Sequence, residues 1–409
     1  MARRSLIAVV VVVLLAALGV LGRWYEQQHA ARESLSSNVA VHVTSGNDRG
    51  PGTLREALFI VATAPAAASI VLDVAKVSLE SPLPPLVNGR GIHISARAAG
   101  TELDAHALGS GAVLDVAAPN ATIEGLLIRG CPGAGILLRA ARFRLQGTTI
   151  QSCDVGVEVA ENASDVLLEH NRFSEDRVGV RFASSIADSS VSGNTFHASR
   201  DAGLWAVRSE PDTGSVAINV HDNRFQQDHT GIVTGNVSLI IERNELSGAQ
   251  EAALHLVGPG AVIRNNTIVG GAGMGIIAEN TRGTVIEGNE IDGVSAYAIL
   301  LRNSANALIR ANRIQSCAYG MAFVLGNAGS PSTAVDNIVL EPRFNGIDVI
   351  GDSPILRHNQ VVQPHALALH VEDYQAPDGH TVHAAPFLEG NSFSAAATVA
   401  RRAPSAEPQ

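Results

Sequence analysis

From about residue 120 onward the apolar positions return in one fixed phase: an apolar strand, an Asn or Gly, an apolar residue, a polar turn, then Gly followed by alternating apolar residues. The Asn positions are Asn171, Asn194, Asn223, Asn244, Asn266, Asn289, Asn312, Asn337, Asn359 and Asn391, and most intervals are 21 to 25 residues. Gly125 and Gly147 hold the same phase in the two preceding turns. One apolar residue follows two positions after each Asn: Phe173, Phe196, Phe225, Leu246, Ile268, Ile291, Ile314. A second column, Ile136, Val157, Val180, Leu204, Ile232, Ile276, Met321 and Ile347, follows its own glycines. Two columns held in register over so many turns predict a solenoid whose coils stack; a β-sandwich would not keep one period so long. Asn suits the corner of each coil because it tolerates a left-handed backbone and can hydrogen-bond the neighbouring corner.

A solenoid exposes core and strand edges at its first coil, so it needs a cover. Thr53 can N-cap a short helix with Glu56 three residues later, and Leu54, Leu58 and Val61 give that helix one apolar face. The cap and first coils therefore occupy 39–118, the repeats 119–394, and an Ala-, Pro- and Arg-rich tail, expected to be disordered, 395–409. Before the cap, Arg3 and Arg4 precede an uncharged apolar run from Leu6 to Gly22, and Trp24 and Tyr25 follow it. This predicts an uncleaved membrane anchor over 1–25 in the bacterial inner membrane, with a polar stalk over 26–38 and the body periplasmic or extracellular; a cleaved secretory signal is the alternative.

Composition agrees with many short strands and tight turns: glycine numbers 39, aromatics are 4% and charged residues 17%. A net charge of -10 argues against a nucleic-acid partner. Lys76 is the one lysine, which removes Schiff-base chemistry from the repeats. Cys131 and Cys153 are one coil apart; they can form a disulfide or, on the plainer reading, stack as free thiols.

The stretch Val43 to Leu58 resembles the Asp-x-Gly-x-Gly-Ser/Thr-Leu-Arg-x-Ala segment with which bacterial exported β-helix proteins begin. Turns such as Gly288-Asn289-Glu290-Ile291 are similar to the parallel β-helix repeats of the pectin-lyase-like superfamily. The resemblance covers roughly residues 40 to 394. It implies an all-β, single-stranded right-handed parallel β-helix of about 12 rungs, with an N-terminal capping helix and anchor. The superfamily includes pectate lyases, polygalacturonases, mannuronan epimerases, a periplasmic copper-site accessory protein and many surface proteins, so the fold does not choose the reaction. The chain has no polygalacturonase Asn-Thr-Asp, Asp-Asp and Gly-His-Gly series, no pectate-lyase Trp-Ile-Asp-His segment and no epimerase Asp-Pro-His-Asp, and no catalytic residue transfers from the resemblance.

Chemistry must therefore come from stacking. Asp154, Asp176, Asp201, Asp228 and Glu251 stand at nearly equivalent positions before successive turns, a carboxylate ladder suited to acid/base work on sugars or to holding calcium. On the strand that follows, the outward phase is Glu158, Arg181, Trp205, Val233, His255, Ile277, Leu300, Ala322, Asp348 and His370. Trp205 can stack on a sugar ring, Arg181 can bind a uronate carboxylate, and His229 or His255 can move a proton. Asp201, Asp228, His229, His255 and Arg181 are thus the expected catalytic set, with Trp205, Glu158, Asp176 and Glu251 binding substrate. The plainer reading is that an Asp before a turn Gly caps the turn and a polar strand face is simply solvated. Asp348, His365, His370 and Glu372 form a second polar cluster with metal-ligand residue types. The expected function is action on, or binding of, an acidic polysaccharide, as a uronate lyase or C5-epimerase. The alternatives are a non-catalytic scaffold of polysaccharide export and a metal-site accessory protein.

Overall fold

The computed structural model of the protein describes residues 39–97, 100–183, 188–208, 218–326, 329–394 and 400–402. Among them the chain winds into a coil of about 12 turns whose strands line up in three sheets of 15, 14 and 13 strands. Neighbouring strands within these sheets run parallel, each paired with the strand one coil earlier and one coil later. Most first- and second-sheet strands of the repeats are three or four residues long and place alternate side chains in the core, as Val166–Glu169 and Thr195–His197 show.

The Asn ladder forms, but not by the backbone logic expected of it. The left-handed residue at the first corner is the one before each Asn: His170 at φ 54°, Asp222 at 55°, Arg243 at 52°, Ala311 at 52°. Gly147 and Gly125 belong to this left-handed position, and Thr148 stands where later coils carry Asn. Freed from the strained position, each Asn from Asn171 to Asn359 turns inward and is buried, and Asn391 at the last coil is partly buried. Asn194 Oδ1 accepts from Asn171 N at 2.8 Å and Asn171 Nδ2 at 3.0 Å, while Asn194 Nδ2 donates to Leu168 O at 2.8 Å and Asn223 Oδ1 at 3.0 Å. The amides satisfy the corner groups of one coil after another without a charge.

Both apolar columns lie in the core as predicted. Phe173, Phe196 and Phe225 stack with ring centroids 4.9 and 4.5 Å apart. The glycine column explains how they fit: a Cβ on Gly179 would stand 2.7 Å from Phe196 Cδ1 and 2.6 Å from Gly203 O. The space beside the rings exists only because those positions lack a side chain.

Helix Leu54–Ala62 covers the first coil, with Leu54, Ala57, Leu58 and Val61 buried in the common core. Thr53 Oγ1 accepts from Glu56 N at 3.3 Å, and Glu56 Oε2 accepts from Gly52 N at 2.6 Å. Arg55 ties the helix to Asp48 at 2.6 Å and to Ser81 O at 2.8 Å.

Two expectations change. Cys131 and Cys153 are joined by a disulfide, not stacked as free thiols; they point inward from consecutive corners whose Cα atoms are 4.3 Å apart, leaving Cys317 as a buried free thiol. Within the tail, 400–402 is a strand that pairs with Leu369–Glu372 and adds a rung to the third sheet. The anchor over 1–25 and the stalk over 26–38 lie outside the described residues, and among the described residues no helix is long and apolar enough to cross a membrane.

Candidate active site on the third sheet

The register of the third sheet places Glu158, Arg181, Trp205, Val233, His255, Ile277, Leu300, Ala322, Asp348 and His370 side by side on consecutive strands, as the phase predicts. The column is not one open polar groove. Ile277, Leu300 and Ala322 are 6%, 2% and 0% exposed and pack as a small apolar cluster with Met274, Tyr297 and Val324. Polar groups therefore gather at two ends, one around Arg181 and Trp205, the other around Asp348.

At the first end, Arg181 Nη2 binds Glu158 Oε1 at 2.8 Å and stands next to Trp205 in register. Arg181 and Trp205, with Glu161, Phe182, Ala183, Val207 and Arg208, line a cleft of about 460 Å³. A guanidinium beside an indole offers a carboxylate partner and a stacking face together. One contact to Glu158 leaves other donors of the Arg181 fork to serve a ligand.

The carboxylate ladder separates into two columns, inside and outside the coil. Asp176 and Asp228 occupy the inward position of the second corner, 0% and 1% exposed. Asp176 Oδ1 accepts from Cys153 N and Asp228 Oδ1 from Ser199 N, both at 2.8 Å, while the second oxygen of each carboxyl has no partner. Burial pushes the Asp176 carboxyl up to about 8 and the Asp228 carboxyl up to about 6. Neither faces the cleft, so neither serves a ligand on the outer face.

The outward column is Asp154, Arg177, Asp201, His229 and Glu251, and it is already paired. Arg177 bridges the two aspartates, with Nε 2.7 Å from Asp154 Oδ1 and Nη1 2.8 Å from Asp201 Oδ2. The guanidinium holds the Asp154 carboxyl below its ordinary range. His229 Nε2 lies 3.1 Å from Glu251 Oε2, and His255 Nε2 lies 3.3 Å from Glu279 Oε2, which also accepts from Arg302 on its other oxygen at 2.9 Å. Among the described residues no group of three or more His, Cys, Asp or Glu side chains converges to hold a metal ion, and Arg177 takes the place a calcium ion would have between Asp154 and Asp201.

Comparison with known proteins agrees with the fold. The family model described as "Right handed beta helix region" matches residues 88–213 and 212–362. This chain belongs to the right-handed β-helix family. No curated protein matches. Among solved structures the β-helix is similar to the catalytic unit of a GH87 α-1,3-glucanase from Streptomyces thermodiastaticus, at 15% identity and TM-score 0.53 over 86% of this chain and 68% of that one. It is also similar to the A-module of mannuronan C-5 epimerase AlgE6 from Azotobacter vinelandii, at 12% identity and TM-score 0.51 over 86% and 99%. A third is the tailspike protein of E. coli bacteriophage HK620, solved with a pentasaccharide, at 13% identity and TM-score 0.54 over 88% and 79%. At these identities the likeness is one of fold.

Within the β-helix, Glu158, Arg181 and Trp205 come together as the stacking of coils predicts, while His229 and His255 stand on the outer face beside separate carboxylates, Glu251 and Glu279. Arg177, Glu279 and the Glu161–Arg208 side of the cleft escape a reading of sequence phase. Arg177 had a signal: it follows Asn171 by six residues, as Asp154 follows Thr148 and His229 follows Asn223, and all three are outward.

Proposed function

We propose that this protein binds an acidic polysaccharide along the N-terminal half of the third sheet, outside the cytoplasm, with a uronate carboxylate on Arg181 and a sugar ring against Trp205. The observation that carries the reading is the cleft in which that guanidinium and indole meet. Sugar chains are also named with the solved β-helices above, and the proposal takes the substrate class from them and the charge preference from Arg181. If the site turns over, His255 or His229 is the group that accepts the H5 proton, as a lyase or C5-epimerase requires.

A non-catalytic binding role is favoured by one specific feature: Asp201, His229 and His255 each already have a side-chain partner within 3.3 Å, in Arg177, Glu251 and Glu279. Titration of the full chain with oligouronates of defined length tests the binding reading. Arg181→Ala and Trp205→Ala should each weaken binding about tenfold, with affinity falling as salt rises. Unchanged affinity in both variants sinks it. Unsaturated-product absorbance and C5 proton exchange, followed on the same samples, separate turnover from binding; His255→Ala abolishes either activity if the histidine moves the proton.

A further inference from the structure

On the third sheet the polar group around Asp348 is closed to solvent, its carboxyl buried and hydrogen-bonded by the Tyr297 phenol. The first sheet is open, and its outer face changes character part-way along the coil. Each short strand of that sheet turns two residues outward. In the earlier repeats the first of these is Arg144, Leu167, Ser190 and Asn219. From the next rung it is Ile240, Val262, Val285 and Leu308, all partly exposed, and beyond Thr333 the apolar run continues with Ile355 and the half-exposed Phe387. The second outward residue of the same four rungs is Glu242, Arg264, Glu287 and Arg310. Arg264 lies 2.5 Å from Glu242 and Arg310 lies 2.6 Å from Glu287, and both guanidiniums are about half exposed.

A single aliphatic side chain on a surface is ordinary, but four in register make a continuous apolar stripe beside a charged column. The coil does not require it, because Ser190 and Asn219 fill the same outward place with polar groups. The charged column specifies what covers the stripe. Its signs alternate from rung to rung, so the column is its own complement when reversed. A two-fold axis parallel to the strands, passing between the rungs of Arg264 and Glu287, sets two coils face to face with their long axes antiparallel. Each column then meets itself in reverse order: Val262 faces the second copy's Val285, Ile240 its Leu308, Arg264 its Glu287 and Glu242 its Arg310. A copy running in the same direction cannot lay stripe on stripe and charge on charge at once. We propose that this face of the first sheet is a self-association surface, on which a second copy of the chain packs antiparallel across that two-fold. The rungs from Leu167 to Phe387, which the two-fold exchanges end for end, extend about 43 Å, and three residues of strand are about 10 Å wide. The flat footprint is therefore roughly 430 Å² per copy, below the about 800 Å² of a standard stable interface, so the pair is weak and concentration-dependent. The third sheet and its Arg181 cleft stay uncovered.

The test is sedimentation equilibrium of the full chain from about 1 to about 300 µM, in a density-matched detergent that holds the apolar Leu6–Gly22 run. The mass should rise toward that of two chains. Arg264→Glu sets Glu against Glu across the two-fold and Glu287→Arg sets Arg against Arg, so each alone should weaken pairing at least about tenfold. In an equimolar mixture of the two variants every opposed charge is again of opposite sign, and the mixed pair should form as tightly as the parent pair. Each variant still lacks its own ion pair within the chain, with Glu242 or Arg310, so an effect confined to the single chain would not be rescued by mixing. Val285→Lys, at a partly exposed position in the middle of the stripe, should abolish pairing with the unfolding midpoint retained. A single-chain mass at every concentration, single reversals that pair like the parent, or a mixture that fails to pair overturns the proposal. Oligouronate titration of the same variants reports on the Arg181 cleft alone, so the two readings fail separately.

Discussion

Replacing Asp176 by Asn should stabilise the protein at neutral pH, by an amount that grows with pH. Asp176 is wholly buried, its carboxyl is pushed up to about 8 by burial, with Glu175 adding to that and Arg200 opposing it, and only Oδ1 has a partner. The folded state therefore keeps a proton that the unfolded chain gives up near the ordinary carboxylate value of 3.8. A raised acid of this kind does no harm below about pH 4, and stability is lost progressively as pH climbs toward about 8. At about 1.4 kcal/mol per pH unit, the loss at pH 7 is on the order of 4 kcal/mol, an upper figure because buried sites relax. Asn keeps the acceptor for Cys153 N. Its amide also has somewhere to donate: Cys317, at the equivalent inward corner, directs its thiol at the carbonyls of Gln315 and Ile291, whose counterparts here are Ser174 and Ile150. Urea unfolding of parent and Asp176→Asn between pH 4.5 and 8.5 should give midpoints that coincide at the acid end and diverge steadily above it. Asp228→Asn should show the same divergence ending near pH 6, where its carboxyl titrates. A difference that is the same at every pH would refute the reasoning.

Asn244→Ala removes the acceptor of Asn223 N, 3.0 Å away, and the donor to Val220 O at 2.9 Å, leaving buried groups unpaired on both sides; a loss of at least about 2 kcal/mol in urea unfolding is expected. Phe196→Ala takes the middle ring from the stack and should cost about 3–5 kcal/mol, read the same way. Ala198 holds φ 56° at a second-corner position, so Ala198→Gly should raise stability by about 0.5–1 kcal/mol, an exception to the usual sign of that substitution, measured as a higher thermal midpoint.

The coil was readable because its defining signals are repeated and redundant: Asn at intervals of mostly 21 to 25 residues, Phe, Leu or Ile two positions on, and Gly wherever the rings need room. The acidic ladder was not readable in the same way, and the physical reason is specific. Asp176 and Asp201 both come shortly before a third-sheet glycine, but one extra residue separates the two turns: the second corner places Ser174 beside His197, while the following strand places Val178 beside Ala202. Counting back from the glycine thus slips by one between coils, and a slip of one exchanges the inside of a strand for the outside. Counting forward from the Asn does not slip. Five residues after Asn171, Asn194, Asn223 and Asn312 come Asp176, Ser199, Asp228 and Cys317, all buried, and the corresponding place in the earlier coils holds the Cys131–Cys153 disulfide. The two corners of the coil solve one problem with different residues: the first with an unbroken run of amides, the second with a disulfide, a carboxyl, a hydroxyl and another carboxyl. Only the second leaves oxygens unpaired, at Asp176, Ser199 and Asp228. It follows that the sensitivity of this fold to rising pH resides in its buried carboxyls, Asp176 and Asp228 at that corner and Asp348 and Asp352 elsewhere, all pushed up by burial, rather than in exposed ion pairs such as Glu242 with Arg264 at 2.5 Å and Arg357 with Glu389 at 2.8 Å that connect neighbouring rungs.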